Sequence, residues 1–173
     1  MTKSELRKDM MMKRSAMTSE EVMERSLKII YRIKQDLRYQ QAKVIALFYP
    51  MGHEVNLLSL LDDQTKEFRF PRVEKDGIHF YTYHKNIAFV RSSFGVMEPP
   101  KGVYQDEGID YMIAPALAIS NDLYRLGYGK GYYDQFLIKS RPNVVVGVIF
   151  SFQRLEDVPH DDYDQKLDDI IEG

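Results

Sequence analysis

Three short apolar runs, Val44–Phe48, Tyr111–Ala116 and Val144–Ile149, leave this chain few folds to adopt. Each is continuous rather than alternating, the pattern of a strand covered on both faces, and such strands belong to parallel sheets with helices on either side. Stretches of helical period separate them. Thr18-Ser-Glu-Glu21 has the form of a capping box and opens a helix whose apolar stripe runs Val22, Ser26, Ile29, Ile30, Ile33 and Leu37. Ahead of it, Leu6, Met10 and Arg14 or Met17 repeat at helical spacing, so residues 2–16 read as a first helix and the chain opens on a helical pair. Gly131–Lys139 reads as a further helix. Buried strands alternating with helices make an α/β fold with an open, mostly parallel sheet flanked by helices.

Glu67–Val73 and Ile78–Tyr83 read as strands joined at Asp76-Gly77, and Val55–Leu61 as a short helix. Residues 85–108, with Pro99-Pro100 and several glycines, read as a long irregular connection. No repeat, low-complexity segment or linker divides the chain, so 1–173 is expected to be a single domain. A domain of this length buries about 70% of its unfolded surface, and an apolar content of 44% supplies the core. No apolar run approaches the ~20 residues that span a bilayer, and MTKSELRKDMMMKRS lacks the apolar centre of a signal peptide. The absence of cysteine removes disulfides, thiolate metal sites and thiol nucleophiles together, and it fits a cytoplasmic address. The two ends carry opposite charge: residues 1–14 hold five cations against Glu5 and Asp9, and residues 156–173 hold eight acids against Lys166. The plain reading is two solvated ends, and no basic face continues from the first to suggest nucleic acid.

The chemistry concentrates in Arg125-Leu-Gly-Tyr-Gly-Lys-Gly-Tyr-Tyr-Asp134. Glycines at 127, 129 and 131 weaken helix and strand alike. They do let backbone N–H groups approach a ligand closely, which suits phosphate. Lys130 and Arg125 add cations and Asp134 a possible magnesium ligand, so the segment points to a nucleotide. It is neither a GxxxxGK[ST] loop nor a dinucleotide fingerprint, because Tyr132 follows GxGxG. In an open α/β sheet, ligands sit beyond the carboxyl ends of the strands. The loop after Val44–Phe48 offers Tyr49, His53 and Glu54 there, and the loop after Tyr111–Ala116 leads into the glycine segment, so both are expected at one cleft.

Preceded by APALAISNDLY, the segment RLGYGKGYYD resembles the signature of the 5-formyltetrahydrofolate cyclo-ligase family. Lys3-Ser-Glu-Leu-Arg7 is similar to that family's K-x-x-L-R, Tyr49-Pro-Met-Gly-His-Glu54 to the segment before its second helix, and Asp164-Gln-Lys-Leu-Asp168 to its terminal D-x-K-x-D. The likeness therefore spans the chain in the family's order. Ile119-Ser120 stands where the family often has Phe-Asp, and the end Ile-Ile-Glu-Gly lacks the common threonine, but neither departure falls on an implied functional position.

The resemblance implies ATP and magnesium as cofactors, a small-molecule folate substrate, no nucleic-acid or membrane partner, and a monomer or weak homodimer. ATP would be held by Lys3, Ser4, Glu5, Leu6 and Arg7 and by Arg125, Leu126, Gly127, Tyr128, Gly129, Lys130, Gly131, Tyr132 and Tyr133. Folate would meet Tyr49 and Glu54 with Tyr128, Gly129, Lys130, Gly131 and Tyr132, while Asp134 and Asp164 would hold magnesium. Lys130 and Arg125 would carry catalysis of an ATP-dependent ring closure of 5-formyltetrahydrofolate to its 5,10-methenyl form. Taken without the resemblance, the residues leave open another ATP-dependent small-molecule phosphoryl transferase, or a nucleotide-binding module without chemistry.

Plainer roles exist for several of these residues. His53, His79, His84 and His160 read as surface contacts, and Asp161, Asp162 and Asp164 as a solvated acidic tail. Glu54 can simply cap the helix expected after it. The run Met10-Met11-Met12 reads as helix packing and Phe80–Tyr83 as strand core.

Overall fold

The computed structural model describes residues 1–173. In chain order the elements are α1 (Lys3–Ser15), α2 (Ser19–Gln35), α3 (Leu37–Gln41), β1 (Val44–Ala46), β2 (Glu67–Glu74), β3 (Gly77–Thr82), β4 (Val90–Arg91), β5 (Met97–Glu98), β6 (Tyr111–Pro115), β7 (Ala118–Ser120), β8 (Arg125–Leu126), α4 (Tyr132–Lys139), β9 (Val144–Ile149), β10 (Arg154–Leu155) and β11 (Asp169–Glu172). The three apolar runs become neighbouring central strands of a six-stranded sheet ordered β11-β9-β6-β1-β2-β3. Every pairing in it is parallel except the β2–β3 hairpin.

The continuous apolar runs are needed because both faces are covered. Successive side chains of a strand point to opposite faces. Ile45, Tyr111, Ile113, Val146 and Val148 face α2 and pack with its Ile29, Ile30 and Ile33. Ala46, Met112, Ala114, Val145 and Ile149 face the other way, with Phe136 and Leu137 of α4. A second sheet, β10-β7-β8, rests under α1, where Leu6 and Met10 meet Leu117, Ala118 and Leu126. The two N-terminal helices therefore serve different layers. Each opens on a complete capping box, from Thr2 to Glu5 and from Thr18 to Glu21, a device that satisfies orphan amides at a helix start.

Four local expectations change. The helical stripe through Leu37 stops at Asp36, whose extended backbone ends α2 and whose carboxylate caps α3 at the Arg38 amide. That carboxylate also accepts the Tyr111 hydroxyl at 2.8 Å and pairs with Arg38; these tertiary partners override the helical period. The helix expected over Val55–Leu61 is a 3-10 turn at Leu58–Asp62, since Val55 and Leu57 are drawn into the core as loop. Within residues 85–108 a small β4–β5 hairpin forms. The acidic end is no solvated tail throughout: β11 is an edge strand with Ile171 in the core, its Asp169 and Glu172 matched by Arg38 and Arg154.

Candidate functional site

Chain direction creates a crevice between β1 and β6. These strands are neighbours, but from β1 the chain moves on to β2 at one side and from β6 to β9 at the other, the switch point at which open α/β sheets bind ligands. A cavity of about 570 Å³ opens there, within the range of small-molecule sites. Tyr49 and Glu54 reach it from beyond β1, residues 125–134 from beyond β6, Lys3 and Arg7 from α1, and Asp164 from the C-terminal segment. The expected convergence of the two loops is direct: the Tyr128 hydroxyl donates to Glu54 Oε2 at 2.8 Å.

The glycine loop is built to leave its amides free. None of the backbone N–H groups from Gly127 to Asp134 donates a hydrogen bond within the protein; the first amide to find a partner is that of Gln135. The last three belong to the first turn of α4, where a helix has no internal acceptor to offer. Gly129 and Gly131 adopt φ of +100° and +70°, the left-handed region that other residues enter at a cost. Crowding adds a second reason. A Cβ on Gly129 would lie 3.2 Å from the Arg7 guanidinium carbon, and one on Gly127 would lie 2.7 Å from Arg125 Nη1.

Cations bracket this loop. Arg7 Nε donates to the Gly127 carbonyl at 2.9 Å, and Arg125 Nη1 donates to that of Pro115, at the end of β6, at 3.0 Å. The Arg125 guanidinium sits 5.1 Å from the Tyr133 ring, and burial lowers its pKa against the raising influence of Asp134. Lys3 is committed to acids, 2.7 Å from Asp164 and 3.4 Å from Asp161. Lys130 is exposed and makes no ion pair; its ammonium lies 6.0 Å from the ring of Phe94, in the turn between β4 and β5.

Among the acids, Glu54 is buried at 6% exposure, with Oε1 accepting the Met51 amide at 2.7 Å. Burial raises its pKa, opposed by the Met51 hydrogen bond, the Arg14 charge and the Tyr128 hydroxyl. It caps no helix: the 3-10 turn beyond it begins without a side-chain cap. Asp134 Oδ1 accepts the Gln165 amide at 3.0 Å, and burial raises its pKa as well.

The resemblance placed Ser4, Glu5 and Leu6 against the nucleotide, and none of them lines the cavity. Leu6 is core, and Glu5 accepts the Thr2 amide in the capping box. Asp162 stays exposed while its neighbours Asp161 and Asp164 join Lys3. His53 donates from Nδ1 to the Arg14 carbonyl, and half-buried His79 is pinned between Asp76 and Asp106, stacked on Tyr104. Of the methionine run only Met10 is buried. Sequence reasoning missed Arg14, which is buried and donates to the Tyr128 hydroxyl at 2.7 Å; its place on the buried stripe of α1 was the available signal. It also missed Phe94 and Met97, which line the cavity from the β4–β5 hairpin and carry no motif.

A profile described as the 5-formyltetrahydrofolate cyclo-ligase family matches residues 1–173. A 5-formyltetrahydrofolate cyclo-ligase of Mycoplasma pneumoniae is 31% identical, covering 99% of this chain and 98% of its own. That of Mus musculus is 27% identical over 96% and 91%. The solution structure of the Aquifex aeolicus 5,10-methenyltetrahydrofolate synthetase superposes with a TM-score of 0.88 at 35% identity, over 99% of this chain and 90% of that one.

Proposed function

The chain belongs to the 5-formyltetrahydrofolate cyclo-ligase family, and from that premise we propose that its cavity uses ATP to close the ring of 5-formyltetrahydrofolate, giving 5,10-methenyltetrahydrofolate, ADP and phosphate. The observation that carries this reading is the run of unpartnered amides from Gly127 to Asp134, set between cations, on residues that line the same cavity as buried Glu54. One side of the cavity suits phosphoryl oxygens, and the other presents a carboxylate to N–H donors.

The chemistry needs positioning more than an enzyme nucleophile. An amide oxygen leaves poorly. Transfer of the γ-phosphoryl group of ATP to the formyl oxygen breaks its bond to the β-phosphate oxygen and releases ADP. The substrate's N10 then attacks the formyl carbon, N10 loses its proton, and the former formyl oxygen departs with phosphate. The conjugated 5,10-methenyl cation remains. Charge builds on the phosphoryl oxygens during transfer, and fixed cations and amides stabilise it. Lys130 and Arg125 fill that role here, with Arg7 on the neighbouring wall. Tyr49, packed against Phe89 with ring centroids 5.0 Å apart, and Glu54 hold the folate.

Asp134 and Asp164 fit a magnesium ion. Both line the cavity, and each keeps one oxygen, Oδ2 and Oδ1 respectively, without a protein donor. Hard oxygen donors in such small number suit magnesium shared with phosphates. When bound it would neutralise charge on the triphosphate.

The direct test is spectrophotometric, because the methenyl product absorbs where the substrate does not. Purified protein with 5-formyltetrahydrofolate and ATP should give that rise only with magnesium, lose it on chelation and regain it on readdition. Absence of the rise under conditions in which the Mycoplasma pneumoniae relative produces it would sink the reading.

A further inference from the structure

Arg14 does not line the cavity, yet Tyr128, to which its side chain donates, and Glu54 beyond it do. It is 7% exposed and lies on the face of α1 that carries Lys3 and Arg7, since spacings of four and seven return to one side of a helix. A buried cation needs a partner, and Arg14 makes no ion pair. Its Nη2 donates to the Tyr128 hydroxyl at 2.7 Å, with the guanidinium carbon 5.7 Å from that ring's centroid. The hydroxyl in turn donates to Glu54 Oε2 at 2.8 Å.

We propose that Arg14 is a positioning residue for folate binding, acting through the Tyr128 hydroxyl to hold Glu54 as an acceptor whose remaining lone pairs face the cavity. A guanidinium donates and never accepts. The Tyr128 oxygen must therefore receive Arg14, and its one hydrogen is left for Glu54. With Oε1 taken by the Met51 amide and Oε2 by Tyr128, the carboxylate has two of its four acceptor directions left for ligand N–H groups. The backbone of Arg14 is held in turn by the His53 ring at 3.2 Å. The ionisable groups acting on Glu54 are Arg14 from α1, Tyr128 from the glycine loop and Tyr133 at the start of α4. Arg14 is the one permanent cation of the three. It favours the ionised carboxylate, while burial opposes it.

This role rests on the functional reading above, so the test has an arm that does not. In the unliganded protein, the titration of Glu54 followed by carboxyl carbon NMR should move to higher pH in Arg14→Met, and Arg14→Lys should restore part of the shift. In assays, Arg14→Met should raise the KM for 5-formyltetrahydrofolate about tenfold, leave the KM for ATP unchanged, and move the acid limb of kcat/KM for folate to higher pH. Tyr128→Phe should give a similar folate defect, and the double variant should be little worse than either, as expected of residues acting in series. Equal losses for both substrates with a lowered Tm, or an unmoved Glu54 titration, would overturn the proposal. A Glu54 titration that moves in Arg14→Met, together with a wild-type protein that binds no folate, would support the relay and refute the assigned substrate.

Discussion

Replacing Lys130 with alanine should lower kcat by about 10²–10³-fold, the usual loss on removing one group that stabilises developing charge, while leaving Tm unchanged. The contrast among the cations carries the argument. Lys3 already pairs with Asp164 and Asp161, while Arg7 and Arg125 are each anchored by one donor, to the Gly127 and Pro115 carbonyls, and keep others free. Lys130 alone of this group has no polar partner in the protein. It is exposed between two glycines in the left-handed region, so its loss breaks no internal contact. Lys130→Arg should recover part of the rate by restoring charge without the same reach. The check is steady-state kinetics beside thermal unfolding. Turnover within a few-fold of wild type would remove Lys130 from the charge-stabilising role.

Glu54→Gln should weaken the enzyme and relax a cost within its fold. A hydrogen bond to a charged group contributes about 1.5–3 kcal/mol, so loss of the carboxylate should raise the folate KM by about 10–100-fold. Stability should respond in the opposite sense. Burial holds the Glu54 pKa above its ordinary value of 4.5, so the folded state binds more protons than the unfolded state across that window. Unfolding free energy then falls as pH rises through it. Glutamine has no such slope, and the Tm of Glu54→Gln relative to wild type should climb as the pH rises above that ordinary value of 4.5. At this chain length each kcal/mol corresponds to about 2–4 °C. A Tm difference that is flat or falling with pH would show that burial does not strain this carboxylate.

Much of this arrangement is legible in the amino-acid sequence. The three apolar runs identify the central strands because burial on both faces leaves no alternation to read. The capping box at Thr18 marks a helix start that the structure reproduces. Illegible parts depend on distant partners. Asp36 ends α2 because Tyr111, from another layer, shares its carboxylate, and β11 hides among acids because its cations lie on α3 and β10. At the site, the glycine loop and Glu54 announce themselves by residue type. Arg14 does not, since an arginine on a buried helical stripe looks like a misplaced surface residue until Tyr128 is seen beneath it. Phe94 and Met97 reach the cavity only through the hairpin that carries them.

The central claim, that one cavity brings the γ-phosphoryl group of ATP to the formyl oxygen of the folate, is tested most directly by following that oxygen. Substrate labelled with ¹⁸O in the formyl group should be turned over with unlabelled ATP and the inorganic phosphate examined by mass spectrometry. Transfer to the formyl oxygen requires each phosphate released to carry the label. Unlabelled phosphate, with ¹⁸O recovered in water, would contradict it and leave ATP cleavage separate from ring closure.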